Sequence, residues 1–154
     1  MANVRQISIF VNNKPNQLNE AVKHLKEGGI NIRAMSIADT KDFGILRIVV
    51  NDTQKACDLL SNSGYAVIIT EVVTVSIPDT AGQLSRVLDI LGNEGVNVEY
   101  LYAFLGTSEK SVSFVIRVDD NAKASSVLTN AGIIQLTEND IAEMWQLHKS
   151  LHLF

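Results

Sequence analysis

Two polar turns carry side chains whose types and spacing suit the binding of a small charged ligand. One turn lies within Asn12–Leu18 and the other within Pro78–Leu84. A side-chain oxygen of Asn13, or of Asp79 in the second turn, stands where it could cap the helix that is predicted to follow. The N–H groups at a helix start are unpaired and lie at the positive end of the helix dipole, so they attract a carboxylate. The two turns therefore predict positions that can bind a carboxylate.

Two asparagines further along the chain could complete such a site. Asn31 and Asn97 each follow a glycine that is predicted to end a helix, and each opens a predicted strand. A side-chain amide offers both a donor and an acceptor. A free amino acid requires this combination, with N–H groups for its carboxylate and oxygen atoms for its ammonium group. Asparagine and aspartate are also common in turns for local reasons, so the spacing alone leaves simple caps and turns as the alternative.

The candidate residues occur twice because the sequence contains a tandem duplication. Residues 18–25 and 84–91 both place apolar side chains at i, i+3, i+4 and i+7, and the two segments are displaced by 66 positions. After the predicted hairpin of each copy the displacement becomes 68 positions. A match in one register over this length indicates an internal repeat. Other matching segments are Gly29–Ile32 with Gly95–Val98, and Leu46–Val50 with Phe114–Val118.

Each copy is predicted to run strand, helix, strand, strand, helix, strand. In the first copy the strands are predicted near 4–11, 30–38, 44–50 and 65–69, and the helices near 16–27 and 53–62. In the second copy the strands are predicted near 71–77, 96–104, 111–118 and 133–136, and the helices near 81–93 and 120–130. This order predicts an α+β protein of two ferredoxin-like βαββαβ repeats, each an antiparallel sheet with its helices on one face. Glycines in left-handed conformation are predicted to end the helices, at Gly28-Gly29, Gly64, Gly95 and Gly132.

No flexible linker separates the two copies, because Tyr65–Ile77 is a nearly unbroken apolar run. We expect domains at 1–69 and 70–137, followed by a C-terminal helix and tail at 138–154. A core in a copy of this size is marginal, and the helices leave one sheet face open. The halves are therefore expected to pack on each other, and a homodimer is expected.

The duplicated segments resemble the motifs of one known family. Asn13–Leu18 and Asp79–Leu84 are similar to the turn of ACT domains, whose usual form is D-x-P-G-x-L. Gly29–Ile32 and Gly95–Val98 resemble the G-[IV]-N-[IV] element of the same family. The resemblance covers nearly the whole chain, twice.

Each copy also departs from the family pattern at one position of its turn. The first turn keeps Pro15 but has Asn16 in place of the glycine, and the second keeps Gly82 but has Ala81 in place of the proline. These departures imply that the two sites bind unequally, or that one of them is only structural.

The resemblance implies a regulatory, non-catalytic function. ACT domains are small modules that bind amino acids at the interfaces between ACT domains, and they are usually attached to metabolic enzymes such as aspartokinase. Because the two copies use up the chain, it is similar to the stand-alone tandem proteins of the family, which implies an amino-acid sensor acting on a separate partner enzyme. The implied ligand-binding residues are Asn13, Lys14, Pro15, Asn16 and Asn31 in the first copy, and Asp79, Thr80, Ala81, Gly82, Asn97 and Glu99 in the second.

The residues two positions beyond the asparagines differ in charge between the copies. Arg33 and Glu99 occupy matched positions and are expected on the same strand face as the asparagines. In ACT domains like those of aspartokinase, an acidic residue at this place resembles a contact to the amine of the ligand. Glu99 is therefore expected to favour a basic or polar amino acid and Arg33 to disfavour one. A solvated surface charge is the alternative for both residues.

Composition excludes several classes of partner. The 154 residues include 13 Lys+Arg and 17 Asp+Glu, and the net charge of −4 provides no basic surface for nucleic acid. No apolar run approaches the roughly 20 residues that a transmembrane helix needs. The N-terminal residues do not resemble a secretory signal, so a cytoplasmic protein without a membrane partner is expected.

No local motif predicts catalysis. The histidines His24, His148 and His152 do not combine with Cys57 or with a carboxylate at a metal-binding spacing. Neither a metal nor a cofactor is expected. A ligand-free module that uses its sheet surfaces only to assemble with an enzyme is the alternative to the amino-acid sensor.

Overall fold

The computed structural model describes residues 3–39, 42–106 and 110–151, with side chains described as far as Met144. The strands are β1 (Asn3–Asn12), β2 (Ile32–Asp39), β3 (Phe43–Val50), β4 (Val67–Pro78), β5 (Val98–Ala103), β6 (Ser111–Val118) and β7 (Ile134–Gln135). The helices are α1 (Gln17–Glu27), α2 (Thr53–Asn62), α3 (Gln83–Asn93), α4 (Asn121–Asn130) and α5 (Glu138–Leu151). None of the described helices has the length and hydrophobicity needed to cross a membrane.

The first repeat folds as one compact unit, which comprises Arg5–Thr70 together with residues 141–151. Its sheet places β3 between β2 and β1, with both pairs antiparallel, and the start of β4 lies on the other side of β1. Alternate strand residues and one stripe of each helix form the core, because the strand period is two and the helix period is 3.6. The core includes Ile7, Ile9, Leu46 and Ile48 from the strands, Ala21 and Leu25 from α1, and Ala56 and Leu60 from α2.

The second repeat folds in the same way, in a unit comprising Glu71–Asp140 together with Asn3 and Val4. Here β6 lies between β4 and β5, and β7 pairs with the opposite side of β4. Its core includes Val73, Val75, Ile116 and Val118 from the strands, Val87 and Leu91 from α3, and Ala124 and Leu128 from α4. The predicted pair of ferredoxin-like repeats is confirmed.

The strand that joins the repeats is longer than the sequence pattern predicts. Separate strands near 65–69 and 71–77 were expected, whereas β4 is a single strand of 12 residues. The strand is uninterrupted because Tyr65–Ile77 contains no proline or glycine that would end it. The first unit ends at Thr70 and the second begins at Glu71, inside this strand.

Some residues on the sheet face opposite the helices are buried as well. In the first unit Ala34 and Val49, which pair across β2 and β3, are 0% and 1% exposed, although they alternate with the helix-facing residues. In the second unit Tyr102 and Val115, which pair across β5 and β6, are 8% and 0% exposed.

A few residues determine where the helices begin and end. Gly29, Gly64, Gly95 and Gly132 have φ angles of 70°, 90°, 75° and 75°, as predicted, whereas Gly28 has a φ of −83°. The predicted C-terminal helix begins after a reciprocal cap, in which the Thr137 N–H donates to the Asp140 carboxylate at 2.8 Å and the Asp140 N–H donates to Thr137 Oγ1 at 3.1 Å.

Candidate functional site

The two turns leave the helices that follow them without a side-chain cap. Asn16 is the N-cap residue of α1 and Gly82 that of α3, and neither helix has a side-chain cap hydrogen bond. The prediction that Asn13 and Asp79 cap these helices was wrong, because each lies three positions before the true N-cap. The chain still turns tightly at both places, since the Lys14 N–H donates to the Asn12 carbonyl and the Thr80 N–H donates to the Pro78 carbonyl, each at 2.9 Å.

Both N-cap residues have left-handed backbone conformations. The φ angle is 69° at Asn16 and 88° at Gly82. Asparagine tolerates this conformation better than most residues that carry a Cβ atom. Asn16 therefore replaces the family's glycine without changing the path of the turn, and its side-chain oxygen accepts a hydrogen bond from Asn19 Nδ2 at 3.1 Å.

The second helix of each repeat contrasts with the first. Asp52 accepts a hydrogen bond from the Lys55 N–H at 3.1 Å at the start of α2, and Asp120 accepts one from the Lys123 N–H at 3.0 Å at the start of α4. The first turns of α1 and α3 receive no such acceptor from a capping side chain. Their positive ends lie behind exposed turn residues, so an anion can reach them from solvent.

Asn31 and Asn97 are each held by a side chain on the neighbouring loop. The Asn31 N–H donates to Asn51 Oδ1 at 2.9 Å, and the Asn51 N–H donates to the Asn31 carbonyl at 3.2 Å. Asp119 holds Asn97 through the same two bonds, at 2.9 Å and 3.2 Å. On the side of Asn31 and Asn97 only backbone groups take part in these bonds, so neither clasp uses their side-chain amides.

The clasping residues were missed in the sequence. Asn51 and Asp119 are matched at the displacement of 68 positions, and both follow a predicted strand directly. The sequence did contain a signal for them, namely a polar residue that follows the third predicted strand in both copies. Asn51 and Asp119 hold the backbone of Asn31 and Asn97 in place without engaging the side-chain amides of those residues.

A β-bulge lies next to each asparagine. Ile32 pairs with Val50 and Ala34 with Val49, so Arg33 is an extra residue in β2. Glu99 is the corresponding extra residue in β5. A bulge interrupts the alternation of side chains. Counting alternate residues therefore does not establish that these charged residues lie on the same strand face as the asparagines, as was expected.

The charged residues at the bulges have different surroundings. Glu99 is exposed and forms an ion pair with Arg117 of β6, with Oε2 and Nε 3.2 Å apart. Desolvation by burial lowers the pKa of Arg33. Arg117 offsets the negative charge of Glu99, which weakens the attraction that this carboxylate could exert on a ligand amine.

The turn and the asparagine of one repeat do not meet. The turn lies before α1 and Asn31 follows it, and α1 has 11 residues. A helix of that length spans about 16 Å. The second repeat has the same arrangement around α3, which also has 11 residues. One repeat therefore cannot place both its turn and its own asparagine on a single amino acid.

The remaining candidate residues have structural surroundings. Cys57 is buried in the first core, and desolvation by burial raises the pKa of its thiol, which makes it a poor nucleophile. His24 Nδ1 lies 3.2 Å from Ser63 Oγ, between α1 and α2. The side chain of His148, and His152 altogether, lie outside the described residues. Within the described ranges, no group of three His, Cys, Asp or Glu side chains is arranged to hold a metal ion.

Comparison with known proteins agrees with the repeat and its motifs. The family model for the ACT domain pair matches residues 2–145 of this sequence. The crystal structure of protein BT0572 from Bacteroides thetaiotaomicron is 37% identical, with a TM-score of 0.86, and the match covers 91% of this chain and 96% of that one. No curated protein matches the chain significantly.

More distant structures share the fold. The ligand-free regulatory subunit of aspartate kinase from Thermus thermophilus is 18% identical with a TM-score of 0.63, covering 85% of this chain and 93% of that one. The corresponding subunit from Thermus flavus is 20% identical with a TM-score of 0.60, covering 84% and 90%. With the family match spanning nearly all residues, this chain belongs to the ACT domain family, as an ACT domain pair.

Proposed function

We propose that this chain is a non-catalytic regulatory protein that binds a free amino acid and reports its concentration to a partner enzyme. One observation carries the proposal: both repeats present an exposed, uncapped helix start together with an asparagine whose backbone is clasped and whose amide remains available. The helix start suits the carboxylate of an amino acid, and the amide oxygen suits its ammonium group.

The proposed site lies at an interface between ACT domains. Because about 16 Å of helix separates the turn from the asparagine in each repeat, the ligand would join the asparagine of one molecule to a turn of a second molecule. Asn13, Lys14, Pro15 and Asn16 form one such turn, and Asp79, Thr80, Ala81 and Gly82 form the other. A homodimer is therefore part of the proposal.

The partner and the location are also part of the proposal. Regulatory subunits of aspartate kinase share this fold, which supports an enzyme of amino-acid metabolism as the class of partner. A cytoplasmic location agrees with such a partner and with a free thiol at Cys57.

A thermal-shift screen against the twenty amino acids tests the proposal. A ligand at about 100 times its Kd stabilises a protein by roughly 2.7 kcal/mol. For a chain of this length, the melting temperature should then rise by about 5–11 °C. We expect the rise with one or a few amino acids, and we expect Asn31→Ala or Asn97→Ala to remove it while the protein stays folded.

Matched controls separate the site from general effects of losing an asparagine. Asn62→Ala and Asn130→Ala change exposed residues at the ends of α2 and α4, and the ligand-induced shift should survive in both. No shift with any amino acid at saturating concentration would refute the sensor.

The alternative is a ligand-free module that assembles with an enzyme. Exposed apolar side chains favour it, namely Ile37 and Phe43 in the first repeat and Leu105 in the second, which are 51%, 40% and 60% exposed. This alternative predicts no thermal shift with amino acids, together with loss of the partner when these side chains are replaced by polar ones.

A further inference from the structure

The sheet of the first repeat carries an apolar patch on the face opposite its helices. Phe10, Phe43 and Ile45 alternate with the core residues of β1 and β3, so their side chains lie on that face. Phe10 pairs with Ile45 across the two strands, and the ring centroids of Phe10 and Phe43 are 6.1 Å apart. Ile68 lies on the same face of β4, the strand next to β1. We call these four residues the β-face patch.

The β-face patch is open to solvent. Phe43 and Ile68 are 40% and 53% exposed, and Phe10 and Ile45 are half-buried. Contact with water is unfavourable for such side chains. A contiguous exposed apolar patch on a folded protein is typical of a surface that another molecule covers.

The second repeat has a serine at each of three matched positions. The serines matched to Phe10, Phe43 and Ile45 are Ser76, Ser111 and Ser113. Ser76 pairs with Ser113 across β4 and β6, in the same way as their counterparts pair across β1 and β3. The same sheet therefore forms with small polar side chains on this face, and the fold does not require aromatic residues there.

The distribution of polarity is the reverse of what a monomer would need. Ser111 is half-buried, whereas its counterpart Phe43 is exposed. Ser113 is 6% exposed, whereas its counterpart Ile45 is only half-buried. Burial in a monomer favours the apolar residue at the more buried position, while exposed aromatic residues are enriched where proteins associate. The apolar residues of the first repeat therefore indicate an interface.

The position of the β-face patch favours a second copy of this chain as the molecule that covers it. Phe43 pairs with Asn12, where the first turn begins, and the Asn13 N–H donates to the Asp42 carbonyl at 3.3 Å. The proposed function places this turn at an interface between two molecules. The β-face patch is continuous with that interface.

The charges at the ends of the β-face patch are also complementary to a second copy. Asp42 directly precedes Phe43 and is exposed, and Arg47 lies two positions beyond Ile45 on the same face of β3. In a contact about a two-fold axis, one end of a patch meets the other end of its copy. Asp42 of each molecule would then lie beside Arg47 of the other.

The size of the β-face patch fits a weak dimer. A stable interface buries about 800 Å² on each molecule. Four partly exposed side chains of these types provide only roughly 300 Å². A dimer held mainly by this surface is therefore incomplete by itself, which agrees with an amino acid that strengthens the dimer in the proposed function.

We propose that the β-face patch is the surface through which two copies of this chain associate, in a two-fold contact between their first repeats. The second repeat, with its serines, takes no part in this contact. The inference rests on the homodimer of the proposed function and names the surface that forms it.

Sedimentation velocity of the full chain over a dilution series, without any amino acid, tests the surface. Phe43→Ser and Ile68→Thr should each raise the dimer Kd at least about tenfold, since a two-fold interface contains each side chain twice. Leu105→Ser and Ile134→Thr are matched controls in the second repeat, where the replaced side chains are 60% and 65% exposed. The controls should change the Kd by less than about twofold.

Two results of this experiment would overturn the proposal. One is a wild-type chain that stays monomeric at every concentration. The other is an unchanged dimer Kd in both patch variants, with melting temperatures that verify their folding. Equal weakening in the patch variants and the controls would also overturn it, because the effect would then follow from any loss of exposed apolar surface.

Reversal of the two end charges tests the two-fold arrangement. Asp42→Lys and Arg47→Glu should each weaken the dimer by about threefold or more, because each places two like-charged pairs in the interface. The double variant pairs opposite charges again, so its Kd should return close to that of the wild type. A double variant that dimerises more weakly than both single variants would overturn the two-fold contact.

The amino-acid screen keeps this inference separate from the sensor. If an amino acid raises the melting temperature but the patch variants dimerise as the wild type does, the sensor stands and the role of the β-face patch is refuted. If the patch variants lose the dimer and none of the twenty amino acids binds, the sensor is refuted and the β-face patch stands as the interface of a ligand-free module.

Discussion

Asn16 has a left-handed backbone conformation, and the matched position of the second repeat, which has the same conformation, is a glycine, Gly82. We expect Asn16→Gly to leave the free energy of unfolding nearly unchanged, because glycine adopts a φ of 69° without strain. Gly82→Ala should lower it by about 1–2 kcal/mol, since the added Cβ is crowded at positive φ. Urea denaturation measures both changes, with Ser85→Ala on the exposed face of α3 as the control. Equal losses in Asn16→Gly and Gly82→Ala would contradict this account of the turns.

At the scale of elements, the two helices of each repeat begin differently. Asp52 and Asp120 cap α2 and α4, so Asp52→Ala and Asp120→Ala should each lower the free energy of unfolding by about 1 kcal/mol. For a chain of this length that corresponds to a melting temperature about 2–4 °C lower. Asp89→Ala removes an exposed acid from the middle of α3 and should have little effect. If Asp89→Ala lowered the free energy of unfolding by the same amount, the change in net charge, and not the lost cap, would explain the effect.

The contrast between capped and uncapped helices follows a division of roles within each repeat. The capped helices α2 and α4 satisfy their own first turns, whereas α1 and α3 leave theirs open behind the exposed turns. A helix start without a cap is less stable by the value of the missing hydrogen bond. In the proposed function, the carboxylate of the ligand restores this stability when it binds to the helix start.

At the scale of the whole molecule, ligand binding and dimer formation are expected to be coupled. Because the proposed site joins residues of two molecules, the amino acid should lower the dimer dissociation constant. Sedimentation velocity over a dilution series, with and without the ligand found in the screen, measures this change. Asn31→Ala should dimerise as the wild type does in the absence of ligand but should not respond to it. A stable monomer that binds the amino acid with undiminished affinity would contradict the shared site.

The sequence was sufficient for the fold because the relevant patterns are local. Apolar residues at i, i+3, i+4 and i+7 predict helices, alternation predicts strands, and the duplication shows both patterns twice. Where local signals were weak, the expectation differed from the structure. Two successive strands near 65–69 and 71–77 were predicted, whereas the structure has the single strand β4, because no residue there ends it.

The sequence by itself determined the repeat, the order of elements and the candidate turns and asparagines, since neighbouring residues specify each of these. Only the tertiary structure decided what these residues contact. Asn51 holds Asn31 from 20 positions away, and Asp119 holds Asn97 from 22 positions away. The left-handed backbone at Asn16 moves the N-cap away from Asn13, and the length of α1 separates the turn from Asn31. Such relations depend on backbone angles and on contacts between distant segments, which local patterns do not encode.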